Sequence, residues 1–203
     1  MNQPTSRNDV KMQESISQYI GALHDQYSKL VAIRIDLGYT KEHAKQTQLS
    51  DIKQDIKRLL DNRRSKPSIF EDQVGYVIKY EDTPTKGPHA HALFLYDGQH
   101  VQKDAHRGDQ LGRYWNERIT EGTGVFHNCN RDKAKYLSCG IGMIDHSDAA
   151  KRDNLINKVV PYMLKTEQSI DWIRQTGKEK SITRGIAPKV KSDTGRPRSK
   201  KAE

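Results

Sequence analysis

The sequence has few cysteines, few phenylalanines and no long apolar runs. Two cysteines among 203 residues, with no CxxC pair, exclude a small fold held together by several disulfides. No run approaches the roughly 18 apolar residues of a membrane-spanning helix, and the N-terminus lacks the basic-then-apolar pattern of a secretory signal. We therefore expect a cytoplasmic protein in a reducing compartment, without a membrane partner.

Acidic residues are too few to balance the basic ones. The chain has 35 Lys and Arg against 26 Asp and Glu, a net charge of +9, which favours a polyanionic partner. Residues 174–203 contain ten basic and three acidic side chains, so the rest of the chain is nearly balanced. This end of the chain has two interpretations: a solvated, disordered extension, or a phosphate-binding tail that uses Arg196 and Arg198 of its GRPR motif.

Apolar periodicity divides the chain into helices and strands. Apolar residues at helical spacing predict helices over residues 10–29, 40–62, 108–119 and 151–169. Pro161 must either kink the last of these or begin a new helix. Alternating or β-branched runs predict strands over residues 30–39, 74–81 and 89–98, with two shorter ones over 122–129 and 135–142. The connection DTPTKGP is rich in turn residues, so the second and third strands should form an antiparallel hairpin.

The order of these elements predicts an α+β fold, in which helices pack on a mainly antiparallel sheet. The length suits one domain with modest appendages. We expect a polar N-terminal segment and helix over residues 1–27, a domain over residues 28–186, and a basic disordered tail over residues 187–203.

The predicted hairpin carries a candidate metal site. His89 and His91 are two residues apart on one strand, so both imidazoles share a face and Ala90 lies on the other. A turn near Thr85 places Glu81 opposite His89, about 5 Å away. Two imidazoles and a carboxylate are compatible with Mg²⁺ or Mn²⁺. An HxH pair also occurs on solvated strands and Glu81 could be an exposed strand end. Asp36 is the alternative third ligand.

A tyrosine and three lysines share one face of the last predicted helix. Lys158, Tyr162 and Lys165 follow i, i+4, i+7 spacing, and Lys151 lies on the same stripe. A phenolate can attack phosphorus when cations and a metal lower the cost of its charge. A half-buried tyrosine among ordinary surface lysines has the same spacing, so both interpretations stay open.

A second set of side chains contains the atoms of a zinc site: His127, Cys129, Cys139 and His146. Their spacing fits no common zinc module. Buried thiols and surface histidines are the alternative interpretation of these four residues.

Three segments resemble, in their order, the motifs of HUH endonucleases. They are RIDL (34–37), GPHAHALFLYDG (87–98) preceded by YVIKYE (76–81), and YMLK (162–165). Together with the helix around Trp115 and the closing ITRG (182–185), they resemble the YagK/YfjJ C-terminal domain family. That family is related to the replication proteins of filamentous phages, and the resemblance covers about residues 28–186.

This resemblance implies an HUH-endonuclease-like sheet and a metal-dependent endonuclease that nicks and rejoins single-stranded DNA through a phosphotyrosine. The expected role is rolling-circle replication initiation for a phage, a plasmid or a phage-derived element. His89 and His91 match the metal-binding histidines, and Glu81 matches the acidic ligand. Tyr162 and Lys165 match the nucleophile and the lysine of the YxxK motif.

The implied partner is single-stranded DNA at a replication origin, with Mg²⁺ or Mn²⁺ as cofactor and host replication proteins as further partners. Tyr136, in a predicted strand without a YxxK motif, is the second candidate nucleophile. A DNA-binding regulator that keeps the fold without cleavage is the competing function, and a zinc-stabilised interaction protein is the third. The basic residues expected to contact the DNA are Arg34, Lys151, Lys158, Arg196 and Arg198.

Overall fold

The computed structural model describes residues 7–164 and 181–188, which form a six-stranded antiparallel sheet with helices on both faces. This is the predicted α+β class. The strands are β1 (Lys29–Tyr39), β2 (Gln73–Thr83), β3 (Gly87–Asp97), β4 (Gly124–Asn128), β5 (Gly142–Asp145) and β6 (Ile182–Arg184). The helices are α1 (Arg7–Gln26), α2 (Lys41–Ala44), α3 (Leu49–Asp61), α4 (Pro67–Phe70), α5 (Asp104–Tyr114), α6 (Ala149–Asn154) and α7 (Val160–Leu164). None of the described helices combines the length and apolarity that a membrane crossing requires.

The pairing of the strands brings the predicted ligands to the centre of the sheet. β2 and β3 form the predicted hairpin, and their register pairs Glu81 with His89, as the turn position predicts. β1 pairs with the other edge of β3 and sets Asp36 opposite His91. β6 extends the sheet beyond β2, while β4 and β5 pair with successive parts of the remaining edge of β1.

Different helices cover the two faces of the sheet. On one face, Ile33 of β1 and Phe94 of β3 belong to a core shared with α3 and α5. On the other face, Leu30 and Leu93 belong to a core shared with α1 and α7. This division follows from the alternation of side chains along each strand. The buried stripe of α1 consists of Ile16, Tyr19, Ile20 and Leu23.

The predicted strand over residues 135–142 is wrong, whereas β4 confirms the one over 122–129. A 3₁₀ helix (Cys129–Lys135) follows β4 directly, and β5 begins only at Gly142. The residues between them, 136–141, form no strand, and Tyr136 and Leu137 among them are exposed. In the 3₁₀ helix, Nζ of Lys133 lies 2.7 Å from Oδ2 of Asp104, which holds this helix against α5. Gly142 has a φ of 84°, which allows the turn into β5.

The predicted helices are confirmed with local differences. The helical run over residues 40–62 is split into α2 and α3, because Gln48 and Asp51 form a capping box that begins α3. A π-helical turn (Trp115–Ile119) continues α5, and a second one (Leu155–Val159) joins α6 to α7. Pro161 follows this second π-helical turn as the second residue of α7, so the helical run continues past it although proline has no N–H to donate. Residues 165–169 of the last predicted helix lie outside the described residues.

Candidate metal centre

Two histidines and a glutamate converge where the hairpin strands near their turn. Oε2 of Glu81 lies 3.3 Å from Nε2 of His89 and 3.2 Å from Nε2 of His91. The two imidazole rings are nearly perpendicular, with centroids 5.3 Å apart, and all three side chains are buried. In the described part of the chain, this is the one group of three or more such side chains whose ligand atoms could share an ion, all within 4.8 Å of one another.

The second nitrogen of each imidazole is held by a hydrogen bond. Nδ1 of His89 donates to the carbonyl oxygen of Gly87 at 2.8 Å, and Nδ1 of His91 donates to Oδ1 of Asp36 at 2.5 Å. A neutral imidazole that donates from Nδ1 carries its lone pair on Nε2. When both imidazoles are neutral, as a bound cation requires, both Nε2 lone pairs therefore face Glu81. Asp36, the alternative third ligand, instead binds Nδ1 of His91, on the side of the ring away from Glu81. Carboxylates commonly orient metal-binding histidines in this way.

Burial and charge together set the protonation of this cluster. Burial raises the pKa of Glu81, but the neighbouring imidazoles outweigh it and hold that pKa below its usual value. Burial lowers the pKa of His91, but its hydrogen bonds to Asp36 and Glu81 outweigh this effect and raise the pKa to about 9. Burial also raises the pKa of Asp36, and His91 and Arg34 together bring it below its ordinary value. Without a cation, a protonated His91 bridges two carboxylates at neutral pH.

The Nε2 atom of His89 gives the most direct indication of a cation. It is buried, and no described residue meets it with hydrogen-bond geometry, although Oε2 of Glu81 lies 3.3 Å away. An unsatisfied buried polar atom costs about 1–3 kcal/mol. A cation on the side where the three ligand atoms face one another removes this cost. Two imidazole nitrogens and a carboxylate oxygen therefore fit a divalent cation.

A buried arginine joins this triad to Tyr162. Nη2 of Arg34 lies 3.6 Å from Oδ1 of Asp36, and its Cζ lies 4.7 Å from the centroid of the Tyr162 ring. Arg34 is 9% exposed, and among the described residues its Nε has no hydrogen-bond partner. Tyr162 is 54% exposed. The predicted nucleophile is thus linked to His91 through two intervening side chains, Arg34 and Asp36.

The other predicted site residues lie further out or outside the described residues. Lys158 is exposed on the π-helical turn before α7, and Lys151 is partly exposed on α6. Arg34, another predicted DNA contact, lies close to Asp36, which in turn is hydrogen-bonded to the candidate ligand His91. The remaining predicted residues, Lys165, Arg196 and Arg198, lie outside the described residues.

The four residues of the alternative zinc set do not form a metal-binding group in the described part of the chain. His127 and His146 are exposed. Cys129 is buried, and burial is the main cause that raises the pKa of its thiol to about 11. These properties are those of a buried thiol and surface histidines, the other interpretation of the same residues.

Asn130 supports the site although no sequence motif points to it. Its Oδ1 accepts a hydrogen bond from the backbone N–H of Arg34 at 2.9 Å, and its Nδ2 donates to the carbonyl oxygen of Ala32 at 2.9 Å. The side-chain amide thus fills the gap on β1 between the parts paired with β4 and β5, as a strand would. This role depends on the register of β1, which the residues around Asn130 do not encode.

Comparison with known proteins gives one match. Residues 4–122 match the family model described as the YagK/YfjJ C-terminal domain, which covers more than half of the chain. No curated protein and no solved structure matches the chain. The matched segment includes Asp36, Glu81, His89 and His91, and it ends before the helix that carries Tyr162. The chain belongs to the YagK/YfjJ C-terminal domain family.

Proposed function

We propose that this protein is an HUH-type, metal-dependent endonuclease that nicks and rejoins single-stranded DNA through a phosphotyrosine. The observation that carries the proposal is the buried triad Glu81, His89 and His91, in which each imidazole is oriented through Nδ1 and directs Nε2 toward the carboxylate. The contact of Arg34 with both Asp36 and the Tyr162 ring supports it further.

The side chains have distinct roles in this mechanism. Glu81, His89 and His91 would hold the divalent cation, Mg²⁺ or Mn²⁺, which when bound would supply Lewis-acid polarisation of a phosphate oxygen. The phenol of Tyr162 gives up its proton to solvent, and its oxygen forms a bond to phosphorus as the bond from phosphorus to the 3′ oxygen breaks. The 3′ oxygen takes up one proton from solvent and leaves as a hydroxyl, so protons balance over the step. The guanidinium of Arg34 supplies positive charge where the phosphate becomes more negative, and Lys165 adds to it.

The covalent step suits strand exchange better than degradation. The phosphotyrosine conserves the energy of the broken phosphodiester, so a later 3′-hydroxyl can reverse the reaction and rejoin the strand. This chemistry is what a rolling-circle replication initiator of a phage, a plasmid or a phage-derived element requires. The net charge of +9 favours a polyanionic substrate. Lys151 of α6 and Lys158 of the π-helical turn before α7 add positive charge on the helical run that leads to Tyr162.

The experiment is a covalent-adduct assay with the full chain, single-stranded oligonucleotides and Mn²⁺. The expected product is a protein–DNA adduct that resists denaturant. Tyr162→Phe should abolish it while changing stability little, because the ring can still pack against Arg34. Tyr136→Phe is the matched control and should retain the adduct. An adduct that persists in Tyr162→Phe overturns the assignment of the nucleophile.

A DNA-binding regulator of the same fold is the second candidate, favoured by one observation. The family match ends at residue 122, so the helix that carries Tyr162 lies outside the matched segment. A regulator binds the oligonucleotide without forming an adduct in any variant. The adduct assay therefore separates the two candidates, provided that binding is measured on the same oligonucleotides.

A further inference from the structure

Exposed apolar side chains are concentrated beside the candidate metal centre. Val10, Met12 and Ile186 are exposed elsewhere in the described residues. The other four exposed large apolar side chains lie around the site, and we call them the apolar rim: Val125, Tyr136, Leu137 and Tyr162. Exposed apolar side chains around buried polar groups are candidates for a binding surface.

The sheet register places one end of the apolar rim on the same sheet face as the triad, with Gly38 between them. Val125 of β4 pairs with Gly38 of β1, and a Cβ added at Gly38 would lie 3.4 Å from Cβ of His89. Side chains of paired strands share a face, so Val125 and His89 project to the same side of the sheet. Val125 is 45% exposed there.

The other end of the apolar rim surrounds Arg34. The Tyr162 ring packs on its guanidinium, and the charges of Arg34 and Asp36 both act on the phenol of Tyr136. One exposed phenol therefore contacts the buried guanidinium, and a second lies within reach of its charge. The distance along β1 from Gly38 to Arg34 is about 13 Å, from a rise of roughly 3.3 Å per residue.

The segment that carries Tyr136 and Leu137 is held at both ends. The backbone N–H of Tyr136 donates to the carbonyl oxygen of Lys133 at 3.2 Å, and Lys133 is paired with Asp104. On the other side, Nδ2 of Asn154 donates to the carbonyl oxygen of Cys139 at 3.5 Å. The backbone therefore presents Leu137 to solvent from an anchored position, which limits the entropy lost when a ligand binds.

We infer that the apolar rim binds unpaired bases of a single-stranded nucleic acid whose phosphate lies at Arg34. Every base has an apolar face that stacks on aromatic and aliphatic side chains, and an arginine between the rings meets the backbone charge. This inference rests on the proposed function and deepens it. It assigns base binding to Tyr136, Leu137 and Val125, which lie outside the segment matched by the family.

The test measures binding without chemistry, using the full chain in EDTA and a single-stranded oligonucleotide that contains 2-aminopurine. Tyr136→Ala should weaken binding roughly 5- to 150-fold, the range that corresponds to the loss of one stacked base. It should also reduce the fluorescence change that 2-aminopurine shows on binding when it occupies the stacked position of the oligonucleotide. Tyr136→Phe keeps the ring and should bind as the wild type does. Ile186→Ala is the matched control at an exposed apolar residue of the opposite sheet edge and should change nothing.

Leu137→Ser keeps the proposal testable if Tyr136→Ala does not fold. Leu137 is fully exposed, so the change to Ser should leave stability unaffected and weaken oligonucleotide binding in the same direction as Tyr136→Ala. Unchanged affinity in both folded variants overturns the inference. If Leu137→Ser instead alters the sedimentation of the free protein and leaves oligonucleotide binding unchanged, the apolar rim is a contact between copies of this chain, which also overturns it.

The outcomes for base binding and for the proposed function are separable. In one outcome, Tyr136→Ala weakens binding in EDTA and the wild type forms no adduct with Mn²⁺. This outcome supports base binding and contradicts the proposed endonuclease activity. An adduct in the wild type, together with full affinity in Tyr136→Ala and Leu137→Ser, supports the endonuclease and contradicts base binding at the apolar rim.

Discussion

Two halves of the same sheet face have opposite chemistry. The covered half lies under α1 and α7 and is apolar: Leu30, Ala32, Val77, Leu93 and Leu95. The site half begins two residues away on each strand and is polar: Arg34, Asp36, Lys79, Glu81, His89 and His91. On one face of three paired strands, the side chains therefore change from apolar core to candidate metal centre over two residues, the spacing of successive side chains on that face.

The two halves are stabilised by different interactions. The covered half gains free energy in proportion to the apolar area that it removes from water. The site half consists of buried charges and imidazoles, each of which needs a partner to offset its desolvation. Removing a side chain from the covered half should therefore mainly affect folding, and removing one from the site half should have its larger effect on ligand binding. The following predictions test this division.

The largest expected effect is on folding, in the covered half. Leu93 is fully buried on β3, two residues from His91. Leu93→Ala should lower the free energy of unfolding by about 2–5 kcal/mol, because it removes apolar contacts and leaves a cavity under α1. Urea unfolding followed by circular dichroism measures this loss. Leu93→Met, which conserves volume, should cost less than about 1.5 kcal/mol. Equal losses in the two variants would contradict the cavity explanation.

On the same strand, His89→Ala should cost less stability than Leu93→Ala and remove cation binding. The substitution deletes a buried ring and its hydrogen bond to Gly87, but it also removes an Nε2 that no described residue satisfies, so the free energy of unfolding should fall by about 1–2 kcal/mol. Mn²⁺ affinity, measured by calorimetry, should fall by more than about 100-fold. Removing a residue that only hydrogen-bonds to a metal ligand already lowers metal affinity by about 10- to 100-fold, and His89 is a ligand itself. Unchanged affinity would show that the cation binds elsewhere.

Asp36→Asn tests the outer partner of His91. The amide cannot stabilise a positive imidazole as the carboxylate does, and its orientation of the ring is weaker, so Mn²⁺ affinity should fall by about 10- to 100-fold. Asp55→Asn is the matched control. Asp55 accepts a hydrogen bond from the Tyr39 hydroxyl and lies away from the triad, so its variant should bind Mn²⁺ normally. A loss as complete as that of His89→Ala would instead make Asp36 a direct ligand.

The smallest expected effect is a dependence of cation affinity on pH. The pKa of His91 is raised to about 9, so near neutral pH a cation must displace the proton on Nε2. Apparent affinity should therefore rise with pH by up to about tenfold per unit until the pH reaches that pKa, and then level off. Calorimetry in buffers of different ionisation enthalpy should detect about one proton released per ion at neutral pH. Affinity that does not change over this range would contradict the protonated His91.

Local sequence was sufficient where the structure depends on local geometry. The hairpin, its register and the pairing of Glu81 with His89 follow from a short turn between two strands, so counting from Thr85 predicts them. The class of the fold follows from the order of its elements. The predicted strand over 135–142 fails because two of its apolar residues, Tyr136 and Leu137, are exposed, whereas Ile141, next to the start of β5, is buried.

Contacts between distant segments could not be predicted in the same way. Asp36 and His91 are separated by 55 residues, and their hydrogen bond requires the register of β1 against β3. That register follows from packing both faces of the sheet at once, because a shift of one residue would exchange the core with the polar face. The sequence suggested Asp36 as a ligand, and only the register shows that it contacts Nδ1 of His91.

The sequence by itself determined the α+β class, the hairpin and the three candidate ligands, because alternation, turn chemistry and the spacing of His89 and His91 act over a few residues. The tertiary structure alone decided which atoms the ligands direct inward, how Arg34 meets Tyr162, and how Asn130 completes the edge of β1. Those contacts join segments far apart in the chain, and their geometry exists only after the helices have covered both faces and aligned the strands.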